Sequence, residues 1–228
     1  MKLKKIASLM LAGVMAISML AGCSNGGNTE KPEEPATGVN ATTVIAALDK
    51  KVTDKVTFTA SSSLQTTLEK AVQYVGTENI ADINREDLTK FDTTLDKDNV
   101  LYANKTDDVQ SEEWYKKAEN NSITRVVVLN NVDYSKYTDA AAVEALAKAV
   151  NDLKIAQPNG TGDATQTAAE LVSYNNKDFE ENDSKYYYTF KYTGTMAVTK
   201  VVGANSTSYV VALTVTRVPS KAATPTKG

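Results

Sequence analysis

Three stretches near the C-terminus, 185–192, 195–202 and 207–218, alternate apolar and polar residues with a period of two. Successive strand side chains point to opposite faces, so the alternation predicts three half-buried strands. Thr193-Gly194 and Gly203-Ala204-Asn205-Ser206 interrupt them, which predicts an antiparallel meander. Upstream the period changes. Val143, Leu146, Ala147, Val150 and Leu153 share one helical face, with Thr138 or Asp139 as cap and Lys148 and Lys154 favouring the C-terminal half. Gln157-Pro158-Asn159-Gly160 then ends the helix. Leu64, Leu68, Ala71, Val72 and Val75 mark another helix, and Val44, Ile45 and Leu48 a shorter one.

Between these two, 55–59 alternates as a strand, and the β-branched run ITRVVVL at 123–129 reads as a buried strand closed by Asn130-Asn131. Asn84 is placed to cap a short helix through Leu88 and Phe91, and 100–102 reads as a brief strand. A fourth helix is expected over 164–172, since Asp163 and Gln166 have capping-box spacing. The fold class that follows is α+β, with helices packed on a mainly antiparallel sheet that ends in a C-terminal three-stranded meander. Leu68-Glu69-Lys70-Ala71-Val72 echoes Leu146-Ala147-Lys148-Ala149-Val150, each after a strand-like segment. Such an echo is what a duplicated strand–helix unit leaves, although amphipathic helices draw on few residue types and also match by chance.

One apolar run has no polar face. Residues 6–20 are apolar or small, about 15 in all, where a membrane-spanning helix needs about 20. Lys2, Lys4 and Lys5 precede the run and Leu20-Ala21-Gly22-Cys23 closes it, which is the layout of an export signal. The segment 1–23 resembles the lipobox of bacterial lipoproteins. That resemblance implies cleavage between Gly22 and Cys23, acylation (palmitate-type chains) of the Cys23 sulfur, and anchorage to the extracytoplasmic face of a cell membrane. Each buried methylene contributes about 0.8 kcal/mol, so two or three chains hold firmly where one is marginal. In a bacterial product Asn-x-Ser/Thr matches such as those at Asn40, Asn120 and Asn205 carry no glycosylation meaning.

The expected organisation is a signal peptide over 1–22, lipidated Cys23 with a tether to 40, one globular domain over 41–218 and a frayed tail over 219–228. The tether is rich in Gly, Pro, Asn and Glu without apolar periodicity. As a flexible coil it spans on the order of 20–25 Å. The chain has 25 basic and 28 acidic residues, and losing the three leader lysines moves its net charge from −3 to near −6. Nucleic acid is therefore an unsuited partner. No basic patch marks the remainder for anionic lipid, so contact with the bilayer falls to acylated Cys23.

Absent residue types narrow the chemistry further. There is no His, and the single Cys is assigned to lipid. Ser-His-Asp and Cys-His nucleophile systems lack their imidazole, and zinc or copper sites lack their usual ligands. No cofactor and no disulfide is implied.

Four features are candidates for chemistry. Tyr186, Tyr188, Phe190 and Tyr192 fall on one face of a strand, as a stacking platform for a sugar or peptide or as a core row; apolar Tyr209, Val211, Leu213 and Val215 favour the core. Tyr187, on the other face and flanked by lysines, is then the exposed ring. Trp114 and Tyr115 follow Ser111-Glu112-Glu113 with little apolar company, as a contact anchor or a plug on the core. Asp96, Asp98, Asn104 and Asp107 match positions 1, 3, 9 and 12 of a calcium loop, but Val100 and Leu101 stand where an oxygen ligand and a glycine belong, so no metal is assigned. A solvated acidic loop is the reading there and at Glu180-Glu181-Asn182-Asp183. Gly160-Thr161-Gly162 follows a helix and Pro158, so it reads as a turn and not a phosphate cradle.

The functional expectation is a tethered extracytoplasmic domain that binds a glycan, peptide or envelope protein without chemistry of its own. Two alternatives remain: a carboxylate-dependent hydrolase acting on glycans or cell wall, since paired acids need no His, and a structural partner in an envelope assembly.

Overall fold

The computed structural model describes residues 37–76, 83–96, 101–102, 121–157, 163–174 and 178–224. In chain order they form α1 (Ala41–Ala46), α2 (Lys50–Thr53), β1 (Val56–Ala60), α3 (Ser62–Val75), α4 (Arg85–Phe91), β2 (Leu101–Tyr102), β3 (Asn121–Leu129), α5 (Asp139–Asn151), β4 (Ala156–Gln157), β5 (Phe179–Glu181), β6 (Ser184–Val202) and β7 (Thr207–Ala223). This is an α+β domain. The main sheet runs β1-β6-β7-β3 with β5 added on β6, while β2 and β4 form a separate pair. Only β1 joins the main sheet in parallel; β3, β5 and β7 all pair antiparallel.

Both faces of the sheet's central part are covered, because β6 and β7 are apolar on both sides there. Met196, Val198, Val211 and Leu213 pack with Val44 of α1 and Leu146 and Val150 of α5. Their strand neighbours Ala197, Val210 and Ala212 pack on the opposite face with Leu68, Ala71 and Val72 of α3 and Leu88 of α4. The echoing segments on α3 and α5 thus lie against opposite faces. Polar residues fix the helix starts. Asn40 and Thr43 form a reciprocal capping box on α1, and Ser61, Asn84 and Thr138 each accept a backbone N–H at the starts of α3, α4 and α5.

The C-terminal meander is β5-β6-β7, with different members from those the alternation predicts. Residues 185–192 and 195–202 are one strand of 19 residues, roughly 60 Å of extended chain. Gly194 does not break it. Gly194 stands opposite Phe58, and a Cβ there would lie 2.3 Å from the Phe58 ring, so the glycine admits an aromatic from the neighbouring strand. The acidic stretch at 180–183 is a two-residue hairpin: Glu181 pairs with Ser184 around Asn182 and Asp183, whose φ of 52° and 61° suit a type I′ turn.

Three more expectations change. The tail from 219 is not frayed through 224: Ala223 pairs with Tyr186, and the Thr224 N–H bonds the Lys185 carbonyl at 2.9 Å. α5 stops at Asn151 and leaves Leu153 beyond its cap, with Gln157 in β4. Residues 164–172 hold a single 3-10 turn, Ala168–Glu170, because Gln166 bridges Ala156 instead of capping; the Thr167 N–H and hydroxyl bond the Glu170 carboxylate.

Where β1 ends, a side chain continues its work. The Ser61 N–H reaches the Met196 carbonyl at 3.0 Å. One turn later, the Gln65 amide donates to the Val198 carbonyl and accepts the Val198 N–H, both at 3.0 Å. At the other side of the sheet, β3 begins opposite Arg217. No described strand pairs the outer edge of β7 from Val218 to Ala223, and Pro219 on that edge has no N–H.

Candidate functional site

The sheet brings together a set of hydroxyls that no single stretch of sequence contains. Thr57 stands opposite Thr193, Thr193 opposite Thr216, and Thr216 opposite Ser122. Two residues along, Thr59, Thr195, Thr214 and Thr124 repeat the row. All eight project from one face, and the next row on that face, Ala197, Ala212 and Val126, is buried in the α3 cluster. Neighbouring strands lie about 4.8 Å apart and alternate residues about 6.7 Å apart, so the hydroxyls form a regular grid.

The two halves of the grid differ. On the β3–β7 side, Ser122 and Thr216 share a hydrogen bond of 2.8 Å, and Thr124 and Thr214 one of 2.9 Å. On the β1–β6 side, Thr57, Thr59 and Thr193 are exposed and Thr195 half-buried. Thr59 makes one long contact of 3.5 Å to the Gly194 carbonyl. The hydroxyls of Thr57, Thr193 and Thr195 make no hydrogen bond among the described residues. Four strands thus present a hydroxyl surface whose outer half is open to solvent, with Lys191 and Val218 exposed on the next row. The recurring signal, Thr-x-Thr or Ser-x-Thr at 57, 122, 193 and 214, is present in the sequence, but only the register makes it a surface.

The predicted site residues lie elsewhere. Tyr186, Tyr188, Phe190 and Tyr192 are buried on the opposite face, as a core row. Cations are set into it: Lys221 Nζ lies 3.8 Å from the centre of the Tyr186 ring, and the fully buried Arg217 guanidinium lies 4.7 Å from that of Phe190. Burial pushes the Tyr192 phenol up to about 12, with the Arg217 charge pulling against it. Tyr187 is half-buried where the sequence suggests an exposed ring, because β7 runs past 218 and sets Ala222 beside it. It shares a face with the grid, three rows from Thr193. Gly22, Cys23, Trp114, Tyr115 and Gly160-Thr161-Gly162 lie outside the described residues, as do Asp98, Asn104 and Asp107. Asp96 is described: its buried carboxylate takes Arg125 Nη1 at 2.9 Å and pairs with Arg85.

Two further features escape the sequence reading. Tyr74 and Phe91, 69% and 38% exposed, meet at the ends of α3 and α4 with ring centroids 5.3 Å apart. At the hairpin end of the sheet, the Thr207 and Ser135 N–H groups and the Ser135 hydroxyl donate to Asp133 and hold its carboxyl below the usual carboxylate range. Among the described residues no three His, Cys, Asp or Glu side chains are grouped to hold a metal, and no helix is long and apolar enough to cross a membrane. No protein-family model matches the chain, and comparison with curated proteins and with solved structures found no significant match.

Proposed function

We propose that this protein is a membrane-anchored extracytoplasmic lipoprotein whose α+β domain is a binding module without chemistry of its own. Two lines support the reading. The leader ends in Leu20-Ala21-Gly22-Cys23 after a short apolar run and a lysine-rich start, the order a lipoprotein signal requires. The observation that carries the binding role is the solvent-facing hydroxyl surface of β1 and β6, where Thr57, Thr193 and Thr195 leave donors and acceptors unused beside a covered core. A hydroxyl both donates and accepts, so such a surface holds polar ligands without a charge or a nucleophile.

Mass spectrometry of the native protein tests the anchor: the expected product begins at acylated Cys23, and an intact leader or recovery from the cytosol would overturn it. The binding role is tested by presenting the detergent-solubilised protein to purified cell wall, neutral glycans and envelope extracts. Retention by at least one is expected. Retention by none would remove the binding reading while leaving the anchor standing.

A further inference from the structure

We infer that the end of the domain bearing the β6–β7 turn rests on the lipid bilayer, as a second membrane contact beside the acyl anchor. The inference rests on the lipoprotein reading and adds which part of the domain meets the membrane. Of the six large apolar side chains exposed among the described residues, Tyr74, Phe91, Tyr137 and Val202 gather at this end. Val202 closes β6, 52% exposed, opposite Thr207. The Thr207 N–H bonds Asp133, and just beyond it the Tyr137 ring lies 5.1 Å from Tyr134, which lies 5.6 Å from Tyr209. α3 reaches the same end on the other face. Its start is level with Met196 and its Gln65 with Val198, so it runs along β6 toward the turn. From Gln65 to Tyr74 the helix rises about 14 Å, the length of about four strand residues, which sets Tyr74 and its neighbour Phe91 level with Val202. Tyr174 and Val218 lie farther along the sheet, beside Thr189 and Lys191.

The place where the chain enters the domain identifies the partner. The described residues begin at Thr37, and a Cβ on Gly38 would stand 4.0 Å from the carboxylate of Asp139, just past Tyr137. Under the lipoprotein reading the tether from Cys23 therefore joins the domain beside the exposed rings, with an expected reach on the order of 20–25 Å. A short tether gives the contact an effective concentration in the millimolar range, so a surface too weak to bind a membrane by itself is held there. The chemistry of this end fits the lipid interface. Tyrosine sets an apolar ring among the upper acyl chains and its hydroxyl among the head groups. Charge is balanced, with Lys136 and Lys200 against Asp133 and Asp139, so the contact needs no anionic lipid. Side chains on both faces of the sheet and at the turn between them are met together by a broad, flat partner, which a bilayer is. The Asn182-Asp183 turn at the opposite end of β6 then points away from the membrane.

The test uses the full-length acylated protein in phosphatidylcholine vesicles. With Cys23 acylated, an introduced cysteine is the single free thiol and takes an environment-sensitive dye. At Val202→Cys, and at Tyr137→Cys as a second position, we expect blue-shifted emission that nitroxide carried on the lipid quenches. At Lys185→Cys, exposed near the opposite end, we expect the emission of dye in water. Tyr74→Ser with Tyr137→Ser, read at Val202→Cys, should cut the lipid quenching roughly threefold or more while melting temperature and acylation stay as they were. A serine pair that melts early is replaced by Tyr74→Glu alone, read the same way. In protein whose Cys23 is acylated, equal quenching at the two ends, none at either, or quenching that ignores these substitutions would overturn the inference and leave the anchor standing. A blue shift that rises with protein density in the vesicle and resists lipid nitroxide would give this end to a second copy of the chain, and so overturn it too. Protein found without acyl chains removes the anchor reading and this inference with it.

Discussion

Tyr192 holds its phenol in the core, 4% exposed, with no hydrogen-bond partner for the hydroxyl among the described residues. Its folded value near 12 exceeds the ordinary value of 10.0, so the stability it confers is complete below pH 10 and lost as pH rises through 12. Two units correspond to roughly 2–3 kcal/mol. Thermal melts between pH 9 and 12 should therefore fall more steeply for wild type than for Tyr192→Phe, which is expected to be as stable as wild type at pH 7. Gly194 makes the opposite demand. Gly194→Ala pushes a methyl into the Phe58 ring and should cost about 1–3 kcal/mol in urea unfolding, most of it removed in a Phe58→Ala background. That contact also explains why the sequence misleads at this position: a glycine after threonine has the look of a turn, and the residue that gives it another meaning lies on a strand far away in the sequence but adjacent in the sheet.

At the level of elements, strong periodicity made α5 and α3 readable and a β-branched run made β3 readable, because the helices' apolar stripes face the sheet as the pattern requires. Segment 164–172 shows the limit. Its capping spacing is real, but the Ile155 and Ala156 N–H groups both bond the Gln166 carbonyl, and these long-range bonds outcompete a local helix. Gln65 illustrates a role no pattern announces, a helix side chain standing in for a strand. Gln65→Leu fills similar volume yet strips both backbone groups of Val198 of their partners, which should cost about 2 kcal/mol. Hydrogen exchange at the Val198 amide is expected to accelerate with it, while amides of α5 on the opposite face keep their protection relative to the new global stability.

For the whole molecule, the sheet defines where the folded unit stops. A chain ended at Val218 matches the alternation in the sequence, but it removes Pro219 to Ala223 from β7 and with them the Lys221 contact on Tyr186 and five cross-strand partners of the aromatic row's strand. At about 0.2–1 kcal/mol for each pair, ending at Val218 should cost roughly 2–4 kcal/mol relative to ending at Thr224, read as a lower melting temperature. The hydroxyl surface follows the same logic as the fold. Each Thr-x-Thr is visible in the sequence as the polar side of an ordinary strand, and only the pairing order β1-β6-β7-β3 sets four of them side by side.

Among the described residues that order also leaves the last third of β7 unpaired on its outer side, and Pro219 sits there. A visiting strand, whether from a neighbouring copy or a half-folded chain, meets a missing rung where its carbonyl needs a donor. A proline at this position therefore disfavours edge-to-edge pairing of neighbouring copies along this border.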